Sequence, residues 1–287
     1  MDGPRIRRID SRGIITTVIG TGIYGSLGVD GPATSAQIGQ IKSLAFDQHG
    51  NLYFSEYVPP NYANRIRRLT PDGDVELVAG ADLSCQSCSA TGDGGPAIQA
   101  TFNGSGQILA FDNSGNLYLS DATRVRVITP DGNIHAFAAY EPATSTYGSY
   151  IYGLTIDAAG FLYVAVGNLF PGNSAWILRI SQDGKITPLA GGGKGQDVPA
   201  LQAFLNRPSN IYPDGNGGVL FSDPDRLRHL TPDGNIVTLA GGTPQICARR
   251  NSGDRRMAGQ PFRHRSQPFE PALHLRAGNL PDPPRRE

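Results

Sequence analysis

Arg65-Ile66-Arg67-Arg68-Leu69-Thr70-Pro71-Asp72-Gly73-Asp74-Val75-Glu76-Leu77-Val78 is the stretch that decides the fold. Two short β-prone runs flank Pro-Asp-Gly. Proline presets φ and glycine accepts a positive φ, so the stretch reads as a β-hairpin. Asp131-Gly132, Asp183-Gly184 and Asp233-Gly234 close similar runs, and Met1 to Gly20 carries the phrase with Ser11-Arg12-Gly13 at its turn. The turn glycines 13, 73, 132, 184 and 234 lie 60, 59, 52 and 50 residues apart. A fixed-order repeat of this length is an array of supersecondary units.

A second phrase alternates with the first. It runs from Leu44 to Glu56 around Gly50 and returns as Leu109 to Asp121, Leu154 to Val166 and Ile211 to Asp223. Each copy shows two apolar runs about a Gly-centred turn, again a hairpin. Two hairpins make a four-stranded unit that cannot bury both faces alone, so the units are predicted to stack radially as propeller blades. Four inner and five outer hairpins give about four and a half blades. Closure would need a C-terminal inner hairpin, so the chain reads as part of a longer, six-bladed all-β propeller.

Pro32-Ala33, Pro96-Ala97, Pro142-Ala143 and Pro199-Ala200 precede the next hairpin glycine by 18, 19, 18 and 18 residues, which predicts one rigid connection per blade. The variable stretches lie elsewhere, at 57–63, 81–92 and 167–175. Insertions in loops over a fixed frame are where repeat proteins bind. Tyr57, Tyr62, Asn168, Phe170 and Trp176 are the candidate contacts there.

The repeats span residues 1–245, with 16 Lys+Arg against 21 Asp+Glu. Residues 246–287 break the pattern, with nine Arg, no Lys and four acids. This Arg/Pro-rich tail reads either as frameshifted sequence or as a basic, disordered tail for an acidic partner. The acidic body gives no nucleic-acid footprint. No apolar run reaches the length of a membrane span, and no N-terminal stretch has the order of a secretory signal. Three cysteines make no disulfide framework. Cys85 and Cys88 read as an exposed loop with a local disulfide, or as half a metal site; Cys247 has no evident partner.

Arg5/Arg7, Arg65/Arg67, Arg124/Arg126 and Arg226/Arg228 occupy equivalent places. Three inner hairpins end in an acid: Glu56, Asp121 and Asp223. The fourth ends in Val166, and the strand after it has Trp176 and Leu178 in place of arginine. Acid and arginine vanish together, which predicts the pairs Glu56–Arg67, Asp121–Arg126 and Asp223–Arg228. An anion-binding arginine ring is the competing reading. Trp176, the single Trp, either fills the space left by the lost pair or offers a ligand an aromatic platform.

Catalytic patterns are absent from the repeats. His49, His135 and His229 fall at three different repeat positions, which argues against a metal ring. Gly191-Gly192-Gly193-Lys194-Gly195 lacks the spacing of a phosphate loop. Asp30 and Asp93 fit no calcium loop and read as turn or capping residues. No catalytic residue, metal or cofactor is predicted.

Thr91-Gly92-Asp93-Gly94-Gly95-Pro96-Ala97-Ile98-Gln99-Ala100-Thr101-Phe102 resembles the linker of bacterial NHL-repeat (teneurin-like) proteins. So does Gly-Asn-Leu-Tyr-x-Ser-Asp followed by Arg-Val-Arg-x-Ile-Thr-Pro-Asp-Gly, seen at 115–121 and 124–132. The resemblance covers about residues 3–243 and is weakest at Tyr140-Glu141-Pro142-Ala143. It implies a β-propeller that serves as a binding or interaction scaffold for protein or carbohydrate ligands, in bacteria often outside the cytoplasm. Related propellers include metal-dependent enzymes of the gluconolactonase and streptogramin-lyase types, so the fold brings no reaction with it.

Overall fold

The hairpin phrases become strands at their expected places. In the computed structural model the first hairpin joins β1 (Ile6–Ile9) to β2 (Ile15–Ile19). Blade 1 comprises β3 (Gly31–Pro32), β4 (Gln40–Phe46), β5 (Leu52–Val58), β6 (Ala63–Leu69) and β7 (Asp74–Ala79), in the order β3-β7-β6-β5-β4. Blade 2 comprises β8 (Gly95–Pro96), β9 (Leu109–Phe111), β10 (Leu117–Asp121), β11 (Arg124–Ile128) and β12 (Asn133–Ala139), ordered in the same way. Blade 3 is β13 (Ser149–Ile156), β14 (Leu162–Asn168), β15 (Trp176–Ile180) and β16 (Ile186–Gly191). Blade 4 is β17 (Ser209–Pro213), β18 (Val219–Asp223), β19 (Arg226–Leu230) and β20 (Ile236–Gly241). All pairings within the sheets are antiparallel. The result is an all-β propeller of four blades and a leading hairpin.

The structure describes residues 3–28, 30–58, 63–81, 90–103, 107–139, 149–168, 175–195 and 198–241. The chain divides into two units, Met1–Thr243 and Pro244–Glu287, and the described residues belong to the first. Tyr62, Phe170, Cys85, Cys88, Cys247, the third Pro-Ala copy and the Arg/Pro-rich segment lie outside the described residues. No helix among the described residues is long and apolar enough to cross a membrane.

Turn chemistry repeats with the strands. Asp47, Asp112, Asp157 and Asp214 each accept two backbone N–H groups through Oδ1, from two and four residues on, and so close the inner hairpins as Asx turns. Every outer hairpin shifts register at one place: Ile6/Arg7, Ile66/Arg67, Val125/Arg126, Ile177/Leu178 and Leu227/Arg228. A bulge re-aims the side chain that follows it. In blades 1, 2 and 4 that side chain is the inward-turned arginine.

The Pro-Ala connection is a strap between blades. Its Ala N–H donates forward to a turn glycine: Ala33 to Gly73 O, Ala97 to Gly132 O and Ala200 to Gly234 O, each at 2.9 Å. Its carbonyl accepts from the glycine that ends the preceding outer strand, Gly20 to Ala33 at 2.9 Å and Gly80 to Ala97 at 3.1 Å. Gly80 has φ +103°, and a Cβ there would overlap the Asn64 carbonyl oxygen, which explains the terminal Ala-Gly of the phrase. Gly-Pro also adds a fifth short strand to blades 1 and 2, beyond the four that the repeat predicts.

The core lies between blades, and the described strand residues at each junction recur at the same repeat positions. Tyr53, Ile66 and Ala79 of blade 1 pack on the strap residues Ala97, Ala100 and Phe102 and on Leu119 and Ile134 of blade 2. Tyr118 and Val125 meet Leu162, Val164 and Ile180 of blade 3. Tyr163, Ile177 and Ala190 meet Ala200, Leu205, Phe221 and Leu230 of blade 4. Ile6 and Ile19 of the first hairpin meet Ala33, Ile38, Phe54 and Val75 of blade 1.

Candidate functional site

The predicted arginine–carboxylate places are buried and close. Arg67 Nη1 lies 3.4 Å from Glu56 Oε1, Arg126 Nη1 3.3 Å from Asp121 Oδ2, and Arg228 Nη1 3.0 Å from Asp223 Oδ2. Each guanidinium also stands 5.6–6.0 Å from the centre of a phenylalanine ring: Phe54, Phe102 or Phe221. None of these arginines lines the cavity between the innermost strands.

The arginines do more than the sequence pattern indicates. They also hold the stretch that crosses from the preceding blade. Arg67 donates to Gly28 O at 2.6 Å and to Gln37 O at 3.3 Å. Arg126 donates to Thr91 O at 2.9 Å and Thr101 O at 3.0 Å, and Arg228 to Phe204 O at 3.3 Å. The acids fix the end of the same stretch, accepting from Gly39 N (2.8 Å), Asn103 N (2.6 Å) and Asn206 N (2.8 Å). Asp93 stands in a turn, as its Gly-rich surroundings indicate, and its Oδ1 also accepts from Arg126 Nε at 2.8 Å. Asp30 accepts from Leu77 N at 3.3 Å, a capping role. Burial pushes the Glu56 carboxyl above its ordinary range, against the pull of Arg67 and the Gly39 N–H. Burial likewise raises Asp121 against the Asn103 N–H, Arg124 and Arg126.

Blade 3 replaces the pair by apolar packing. Val166 and Leu178 are each 1% exposed. Trp176 sits opposite Val166, half-buried against the same cluster, and its indole covers Gly192, where a Cβ would overlap the ring. Tyr57 is half-buried in β5, opposite Gln40 and Asn64. Asn168 ends β14 opposite Ser149, and its side chain is outside the described set.

The innermost strands β4, β9, β13 and β17 converge on a cavity of about 520 Å³. Leu44, Leu109, Leu154 and Ile211 recur at one repeat position along it. The polar groups are Lys42, Ser43, Tyr152, Thr155, Asn210 and Tyr212. The described lining holds no carboxylate, imidazole or thiol. Among the described residues no three His, Cys, Asp or Glu side chains gather as a metal ligand set. His229 lies away from this lining, its Nε2 2.7 Å from Asp214 Oδ2.

One corner of this cavity was invisible in the sequence. The Tyr152 hydroxyl is buried with no hydrogen-bond partner among the described residues. The Arg207 guanidinium lies 5.1 Å from the Tyr152 ring centre. Arg207 (φ 61°) and Asn210 (φ 44°) both adopt the left-handed backbone region that non-glycine residues seldom occupy. Strain of this kind gathers at ligand sites. Tyr152 and Asn210 bring a phenol and an amide to the cavity lining, while Arg207 is exposed and outside the lining, against the Tyr152 ring.

No family model matches the chain. It is 31% identical over 215 residues to mouse Teneurin-3, covering 70% of this chain and 7% of that protein. It is 29% identical over 236 residues to human Teneurin-4, covering 76% of this chain and 8% of that protein. The chain thus spans only 7% to 8% of the length of these relatives. Among solved structures it is similar to a gluconolactonase from Xanthomonas campestris, with a TM-score of 0.51 at 15% identity, covering 84% of this chain and 70% of that one. A PQQ-bound aldose sugar dehydrogenase from Streptomyces coelicolor also gives 0.51 at 15% identity, covering 84% and 76%. At such identity the likeness establishes the propeller fold alone.

Proposed function

We propose that this chain is a binding scaffold that engages a protein or carbohydrate ligand, with the inner-strand cavity and its lining residues Tyr152 and Asn210 at the centre of the site and Arg207 beside them. The observation that carries this reading is the buried, partnerless Tyr152 hydroxyl beside two strained polar residues. A buried hydroxyl without a partner has lost its solvation, and a turn of the Tyr152 side chain toward the cavity would let a ligand group restore it. Hydroxyl, amide and aromatic groups without carboxylates favour a carbohydrate over a cation. Tyr57 and Trp176, at the strand ends beside the variable loops, extend the surface. The NHL-like phrases support an interaction role outside the cytoplasm.

The gluconolactonase-like alternative needs a metal held by convergent donors, and the described cavity lining does not supply them. The test is a panel of neutral and acidic oligosaccharides, with any hit titrated calorimetrically against wild type and Tyr152→Phe. Loss of one hydrogen bond, about 1.4 kcal/mol, lowers affinity about tenfold. A hit that ignores Y152F removes the corner from the site, and a panel without hits removes the carbohydrate. Hydrolysis of glucono-1,5-lactone that needs added Ca²⁺ or Zn²⁺ and stops on chelation replaces the scaffold by the enzyme.

A further inference from the structure

The innermost strands carry register shifts of their own. They fall at one level in three of the four blades: Ile41/Ser43 in β4, Ile151/Gly153 in β13 and Ser209/Tyr212 in β17. The described pairing of β9 has none. Lys42, Tyr152 and the dipeptide Asn210-Ile211 fall between the registered partners, and all of them line the cavity. A bulge re-aims a side chain, and bulges gather beside active sites.

The position is repeated and its side chain is not. Lys42 and Tyr152 share one repeat position, where blade 2 has Gln107, 0% exposed and outside the lining. Asn210 stands one residue later. Two residues beyond Lys42, Leu44 and its equivalents Leu109, Leu154 and Ile211 keep one apolar type. Side chains that vary over a fixed frame are where a repeat protein sets its specificity.

Lys42 is the only charged side chain of the described lining, and it is exposed. No carboxylate in that lining offsets its ammonium. The apolar wall of Leu44, Leu109, Leu154 and Ile211 is a low-dielectric surround that focuses the field on the cavity. Asn210 is exposed as well. Its Nδ2 donates to Ser222 Oγ at 3.1 Å, which leaves Oδ1 to accept from a hydroxyl. The set is one cation on β4, with an amide on β17 and a phenol on β13.

We propose that the carbohydrate taken by this cavity is acidic: a hexuronate unit places its carboxylate on Lys42, and hydroxyls of the same oligosaccharide meet Asn210 and, once turned toward the cavity, Tyr152. This rests on the scaffold reading above and adds the charge of the ligand. An ammonium–carboxylate hydrogen bond is stronger than a neutral one, so charge dominates the selection.

The test is calorimetry with trimers of galacturonate and mannuronate and with their methyl esters, which keep every hydroxyl and lose the charge. Wild type is expected to bind an acid trimer about tenfold more tightly than its ester, with the difference shrinking as salt is raised. Lys42→Met keeps the bulk of the side chain and should bind acid and ester alike, at the wild-type affinity for the ester. Lys42→Arg restores the preference. Thermal melting checks that both variants fold, and the exposure of Lys42 means that neither change opens the core. Equal binding of acid and ester by wild type overturns the proposal, and if Y152F weakens both, the scaffold reading stands without it. A preference that persists in K42M puts the carboxylate elsewhere and also overturns it. So does a wild type that binds neither acid trimer: a neutral oligosaccharide that binds then keeps the scaffold's carbohydrate, and a panel without hits removes both.

Discussion

Blades 1, 2 and 4 differ from blade 3 at two buried positions. The former place an arginine and a carboxylate there, and the latter places Leu178 and Val166, equally buried. The strands pair in the same way in both kinds of blade, and the register shift falls at the same place. A blade therefore holds its shape without the ion pair, as expected where desolvation offsets much of the Coulombic gain. The pair adds a connection. Arg126 and Asp121 together reach Thr91, Thr101, Asn103 and Asp93, so they bind the crossing stretch to the blade it enters.

The sharpest way to break this comparison is to turn blade 2 into blade 3. Arg126→Leu leaves the buried Asp121 with only Arg124 at 3.3 Å and the Asn103 N–H, removes a partner of Asp93, and is expected to cost about 3 kcal/mol in urea denaturation. Adding Asp121→Val should recover much of that loss, with a coupling of about 0.5–3 kcal/mol in the double-mutant cycle. Clean additivity would show that the two side chains do not act as a unit.

A second contrast uses one repeat position in two blades. Ile66→Ala opens a cavity in a closed junction and should cost about 2–5 kcal/mol. Leu227→Ala removes a side chain that is 43% exposed. If blade 4 is uncovered in dilute solution, its loss should fall well below that of I66A when midpoints are compared. Equal losses would mean that the face is covered.

The smallest effect concerns pH. The folded Glu56 carboxyl titrates above its ordinary value of 4.5, because burial outweighs Arg67 and the Gly39 N–H. The folded state then binds the proton more tightly than the unfolded state. This contribution is fully present below 4.5 and is lost as pH rises through the folded value. Glu56→Gln has no proton to lose there, so its melting temperature should fall less than that of wild type as pH rises above 4.5. Parallel curves would remove the perturbed carboxyl from the account.

Much of the frame was legible in the sequence because its causes are local. Pro-Asp-Gly and the Asx turn at Asp47 act within five residues, and strand alternation follows from them. The arginine–carboxylate pairs were legible by a different route: acid and arginine are lost together in one of four copies. Asp93 gave no such signal. It lies 33 residues from Arg126, and nothing in its Gly-rich surroundings announces an ion pair. The Tyr152 corner was hidden for the same reason. Its repeat equivalents are Lys42, Gln107 and Ser209, so no pattern marks it.

Sequence alone determined the blades, their turns, their number and the positions of the buried arginines, because hydrogen bonds and turn preferences between near neighbours set them. Tertiary structure decided which faces found a partner, which carbonyls the arginines hold, and where Tyr152, Arg207 and Asn210 meet. Those outcomes depend on groups brought together across blades, and their burial exists only once neighbouring sheets pack.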